Sequence, residues 1–156
     1  MAGTTPYTFT ALELLTAAKM NAIQDNMQVV LDAINEPVIL TFQLNDSVAL
    51  STGDNIIQFH IPSKMNGWTV TSATATRSGG TGTLTLDLYN VTDSVDVFST
   101  ALTIDTGETS SSTAAVPVVI NTANDDIATN DRFRIDVTNA GTNTTLATMN
   151  IGFTRP

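Results

Sequence analysis

From Val38 to Thr154 apolar and polar residues alternate in short runs with a period of two. The runs VILTFQL (38–44), NIIQFHI (55–61), GWTVTSATAT (67–76) and GTLTLDLYN (82–90) each predict a strand. SVDVFS (94–99), TALTI (100–104), TAAVPVVI (113–120), RFRIDVT (132–138) and TLATMNIGFT (145–154) predict five more. Turn-forming clusters separate them: SGGTG at 78–82, DTGE at 105–108, NDD at 124–126 and NAGTN at 139–143. Eight or nine short strands at this spacing predict an antiparallel β-sandwich of jelly-roll type. Its core is expected to hold Leu84, Leu86, Leu88, Phe133, Ile135, Val137, Met149, Ile151 and Phe153. Pro117 has no amide to donate, which places its run at an edge or a bulge.

The first 37 residues follow a different period. TFTALELLTAAKMNAIQDNMQVVLDAINEP (8–37) predicts one amphipathic α-helix ahead of the sandwich. Thr10-Ala11-Leu12-Glu13 matches a capping box, Phe9 and Leu14 can close a hydrophobic staple, and Thr16 is a competing start. Pro37 ends the helix by excluding its predecessor from helical geometry. Met20, Ile23, Met27, Val30 and Ile34 recur at spacings of 3, 4, 3 and 4, an apolar seam of about two heptads. Such a seam either packs on the protein's own sheet or joins copies around a symmetry axis. Two heptads are marginal alone, so the β domains would have to assist an oligomer. The expected organisation is an anchoring or oligomerisation segment at 1–37 and a β-sandwich domain at 38–156.

Composition sharpens this picture. Only 13% of residues are charged, while 28 of the 156 are Thr, so hydroxyls and amides are expected to coat the surface. Thr also favours strands, because its branched Cβ suits a pleated surface. A net charge of −9 with two Lys and four Arg opposes nucleic-acid binding, which needs clustered cations. The chain has no cysteine, hence no disulfide framework. No apolar run reaches the ~18 residues of a membrane span. The opening MAGTTPYTF lacks the basic start and apolar run of a secretory signal, so a soluble chain made without export by the usual route is expected.

Candidate chemistry is sparse. His60, the one histidine, falls on the polar parity of its strand with Gln58, where an outward position is expected. Asp87 and Asp136 would form the paired carboxylates of a glycosidase only if they faced each other across a cleft; beside Thr85 and Arg134 they are expected to be solvated. NDDIATND (124–131) offers Asp125, Asp126 and Asp131 as calcium ligands, but it lacks the spacing and closing Glu of an EF-hand loop, so a capped turn is expected. SGGTGT (78–83) leads into a strand rather than a helix N-terminus, which fits a hairpin turn and not a phosphate cradle. Trp68 and Tyr89 are the aromatics that would either stack on a host-surface glycan, were the chain a lectin-like receptor-recognition module, or equally lie buried. No catalytic residue, cofactor or metal is assigned, and the expectation is a non-enzymatic protein.

LTAAKMNAIQDNM resembles the N-terminal helix of tail, fibre and neck-region proteins of tailed bacteriophages. FSTALTIDTGETSSSTAAVPVVI, followed by NDRFRIDVTNAG, is similar to a β-sandwich repeat of phage virion proteins. In that pattern a strand ending in Ser-Thr leads to an Ile-Asp-x-Gly-Glu turn, and a later Asp precedes the next strand. Ser99, Thr100, Ile104, Asp105, Gly107, Glu108 and Asp131 hold those places. The resemblance covers about two thirds of the chain and brings no catalytic residues. It implies a virion component made in the host cytoplasm, commonly a homotrimer, held by other virion proteins of the capsid, neck or tail. The absence of repeats and of an extended coiled coil favours a short spike or a head-decoration protein over a long fibre.

Overall fold

The computed structural model describes residues 21–27, 36–45 and 48–155. The chain divides into two compact units, Met1–Glu36 and Pro37–Pro156. In the first, residues 21–27 are helical, with Ile23 half-buried and Met27 exposed. Met20, Val30, Ile34 and the capping box at Thr10–Glu13 lie outside the described residues. Glu36 and Pro37 are not helical.

The second unit is mainly β. Its strands are β1 (Val38–Gln43), β2 (Gly53–His60), β3 (Trp68–Ser78), β4 (Leu84–Asn90), β5 (Val95–Asp96) and β6 (Phe98–Thr100). They continue with β7 (Leu102–Ile104), β8 (Val119–Ile120), β9 (Asp126–Ile127), β10 (Arg132–Asn139) and β11 (Thr145–Thr154). One sheet runs β1-β11-β3-β9; the other runs β2-β10-β4-β5, with β7 also paired to β4; β6 and β8 form a separate ribbon. Every pairing among these strands is antiparallel.

Period-two alternation explains why the sheets face one another. Leu84, Leu86 and Leu88 of β4 share a parity; Leu86 pairs with Val137 and Leu88 with Ile135 of β10, and these side chains and Phe133 are all essentially solvent-free. Met149, Ile151 and Phe153 of β11 line the opposite sheet with Val70, Ala73 and Ala75 of β3. The two sets belong to a single hydrophobic cluster. Aromatic rings tie the sheets together: Phe42 of β1 stacks on Phe59 of β2 at 4.5 Å, and Phe59 stacks on Phe133 at 5.5 Å. Each large core side chain contributes roughly 1.5–3 kcal/mol by leaving water.

The structure departs from the expected strands in three places. SVDVFS is two strands, because Val97 turns fully inward while its amide bonds Leu88 O and its carbonyl accepts from Asn121 N. TAAVPVVI is paired as a strand only at Val119–Ile120. The run opens inside a 3-10 turn, Ser111–Thr113, capped by the Ser110 hydroxyl, and Pro117 cannot join a ladder. In the expected NDD turn, Asp126 instead opens β9 and pairs with Thr69, so a short strand completes the sheet.

Because the sandwich has its own core, deleting residues 1–36 is expected to leave a cooperative thermal unfolding transition and a β-type circular dichroism spectrum. A truncated chain that unfolds would show that the first unit supplies part of the core.

Candidate functional site

Four groups of polar side chains stand out, and each has a traceable local cause. The first lies on the outer face of the β2-β10-β4 sheet. Residues two apart on a strand share a face, so Arg134 reaches Asp136 and bonds its Oδ2 at 2.9 Å. The Arg134 guanidinium also lies 4.3 Å above the Tyr89 ring, its cross-strand neighbour, which favours the cation over the ring face. Asp54 completes the group at 3.9 Å from Arg134, but it is exposed and adds little. Asp136 Oδ1 accepts from the Asn55 amide at 2.6 Å. Asn55 sits in the left-handed region at φ 67°, where the β2–β10 register breaks, so Asp136 satisfies an amide that the bulge removes from the ladder. The expected solvated Asp136 is therefore buried, with both oxygens occupied.

Asp87 stands directly across the ladder from Asp136 and is half-buried. Burial pushes its carboxyl up from 3.8 to about 6, the Leu88 amide opposes the rise, and the carboxylates of Asp96 and Asp136 add to it. The two carboxylates are adjacent across one ladder and one of them is locked to Arg134. His60 lies at the edge of this face, exposed and opposite Arg132.

The second group closes one end of the sandwich. Arg77 follows Ala73 and Ala75 on the inward parity of β3 and is 4% exposed. Its Nε donates to Glu108 O and its Nη2 to Asp105 O, both at 3.0 Å. Those carbonyls belong to the Ile-Asp-x-Gly-Glu turn, which closes through Glu108 N to Asp105 O at 3.0 Å and takes Gly107 to φ 86°. Asp105 Oδ2 accepts from Ala115 N at 2.8 Å, and Glu108 Oε2 accepts from the Thr113 hydroxyl at 2.8 Å. Beside this clasp the 78–82 and 139–144 loops cross, paired through Thr81 and Thr142. A side chain at Gly80 would place its Cβ 2.7 Å from Thr144 Cα, and one at Gly141 the same distance from Thr81 O. Sequence reasoning did not single out Arg77; the signal was its parity with Ala73 and Ala75.

The third group is the expected capped turn. Asp131 is 4% exposed, and its Oδ2 accepts from Ala128 N at 2.8 Å. The buried Asn90 donates to Asp131 Oδ2 at 3.4 Å and to Asp93 Oδ2 at 2.8 Å. Asp131 thus holds the approach to β10. Among the described residues, no three His, Cys, Asp or Glu side chains cluster as a metal site would require.

The fourth covers the outer face of the β1-β11-β3 sheet. Thr41 donates to Asn150 Oδ1 at 2.7 Å and Asn150 donates to Thr74 Oγ1 at 3.3 Å, one row across three strands. Thr76 bonds Thr148 at 2.8 Å and Thr71 bonds Thr154 at 3.0 Å in further rows. Of the aromatics considered for glycan stacking, Trp68 is half-buried with Arg155 5.3 Å from its ring, and Tyr89 is half-buried beneath Arg134. They lie on different sheets, so they do not form one stacking platform.

Of the five seam residues, Ile23 and Met27 fall on the helical 21–27 segment, and Met20, Val30 and Ile34 lie outside the described residues. Among the described residues, no helix is long and apolar enough to cross a membrane. No protein-family model, curated protein or solved structure matches this chain.

Two outcomes are expected. With a folded-state value near 6 against 3.8 unfolded, Asp87 takes up a proton on folding between those values, so its contribution to stability is lost as pH rises through 6. The thermal midpoint of Asp87→Asn should therefore match wild type near pH 4 and exceed it at pH 7 (a difference constant across that range would refute the assignment). Replacing Arg77 with Met should cost roughly 2–4 kcal/mol in denaturant unfolding, since two turn carbonyls lose their donor.

Proposed function

We propose that this chain is a non-enzymatic structural component of a tailed-phage virion. It is a trimeric head-decoration or short fibre or spike protein, attached to the particle through its N-terminal segment. The observation that carries the reading is the join of two unlike units: a sandwich with its own closed core, preceded by a helical segment whose seam residue Met27 is 58% exposed. An apolar seam on a chain otherwise coated with Thr, Ser and Asn is too costly to leave in water and is covered by symmetry mates, a particle protein or both.

The polar groups of the sandwich support the same reading. Arg134–Asp136, Arg77 with its turn, and Asn90–Asp131 each bind strands and loops to one another. The strand order supports a jelly roll as the finer architecture. Without the short β5, β6 and β8, the sheets are β1-β11-β3-β9 and β2-β10-β4-β7, so the chain passes repeatedly from one sheet to the other.

Sedimentation of the purified chain should give three times the 16.5 kDa monomer mass. Substituting Ile23 and Val30 together by Asp should leave the sandwich folded and abolish incorporation into particles, because charges in a covered seam cost several kcal/mol unless they escape to solvent. Incorporation of that double variant at normal copy number would overturn the anchoring role.

A further inference from the structure

Asn66 is the one asparagine in the chain that is followed by glycine. Its side-chain amide carbon is an electrophile within reach of the next backbone nitrogen, and glycine gives that nitrogen the least steric cover. A turn dictates the pair. Asn66 takes φ −61° and ψ 128°, and Gly67 takes φ 74°, which matches a type II turn whose second central position needs glycine. No atom lies within 4 Å of where a Gly67 side chain would begin, so conformation and not crowding selects glycine. Both residues are exposed to water.

Two sets of contacts hold this turn against β9 and the loop that follows it. Asn66 Oδ1 accepts from Thr129 N at 3.0 Å and from the Thr129 hydroxyl at 3.1 Å. Gly67 N donates to Ile127 O at 2.8 Å, next to the Trp68–Ile127 pair of the β3–β9 ladder. Both oppose reaction. The Thr129 donors fix the side chain, and Ile127 O engages the proton that the Gly67 nitrogen must lose. A ψ of 128° also holds that nitrogen far from the position, eclipsed with Cβ, that a five-membered ring requires. Ring closure therefore needs the turn to open.

We propose that Asn66–Gly67 is a latent modification site, converted to isoaspartate when the Thr129 clasp releases. On release, the Gly67 nitrogen gives up its proton and bonds Asn66 Cγ. The Cγ–Nδ2 bond breaks, and Nδ2 takes a proton and leaves as ammonia. Water then opens the resulting succinimide. Opening at Cγ gives aspartate; opening at the main-chain carbonyl gives isoaspartate, whose backbone runs through the former side chain. Aspartate keeps an oxygen for Thr129. Isoaspartate lengthens the main chain between Met65 and Gly67 by one methylene, so the bonds to Thr129 and Ile127 no longer fit together. The conversion runs one way and detaches β9 from the edge of its sheet.

The test is peptide mass spectrometry of the full chain during incubation at mildly alkaline pH. Isoaspartate at position 66 should accumulate in the urea-unfolded chain, and roughly tenfold or more slowly in the folded chain, which reacts only from its open fraction. Thr129→Val removes a hydroxyl donor at an exposed position. It should raise the folded rate roughly threefold or more with unchanged circular dichroism. The isolated isoaspartate form should melt below the aspartate form. Equal rates in folded and unfolded chains, or no isoaspartate at 66 in urea, would overturn the site. A Thr129→Val chain that reacts at the wild-type rate would overturn the clasp. Equal melting of the two products would overturn the detachment of β9.

Discussion

The guanidinium of Arg77 is the charge on which one end of the sandwich depends. It enters from the last inward position of β3 and has no carboxylate within ion-pairing distance in the described structure; two backbone carbonyls of a tight turn receive it instead. A buried cation held only by carbonyls tolerates little displacement of either turn residue, because a lost bond leaves charge desolvated and unpaired. The turn in question begins the long excursion from β7 to β9. Fixing it fixes where Ser110 meets β3, where the Ser111 hydroxyl accepts from Ala75 N, and where the chain descends to β8. The crossing of the two glycine-containing loops lies beside the same side chain. The Ile-Asp-x-Gly-Glu pattern thus has a physical meaning in this protein: it is an arginine receptor made of main chain.

Much of the β architecture was legible because its cause is local. Strands that bury one face must alternate, and the long ones, β3, β4, β10 and β11, do so with few interruptions. Failures came where a tertiary partner decided the outcome. Val97 interrupts a run that reads as one strand, because its backbone is shared between Leu88 and Asn121. The apolar run after Thr113 has high strand propensity, yet Pro117 and a cap from Ser110 prevent a ladder over most of its length. Asp126 reads as a turn residue and becomes a strand because Thr69 is waiting opposite.

The polar groups were legible in part and for the same reason. Asp131 as a turn cap follows from short-range Asx chemistry, which a sequence displays directly. Asp136 was misjudged because its burial depends on a bulge in a strand 81 residues earlier, and no local pattern reports that. Arg77 escaped notice because a charged residue at an inward position reads as an interruption rather than as a component. Its partners are carbonyl oxygens, which every residue has, so composition carries no trace of them.

The rows of Thr and Asn across β1, β11 and β3 have a consequence of another kind. Their hydroxyls and amides are joined to one another across the strands, and none of them ionises. Such a face has no titration curve and no counterion atmosphere to exchange. Dilution, brine or a change of acidity leaves its hydration and its shape as they were. The acidic residues respond to those variables; the hydroxyl and amide rows themselves do not. Those rows keep the same exterior in fresh water as in salt.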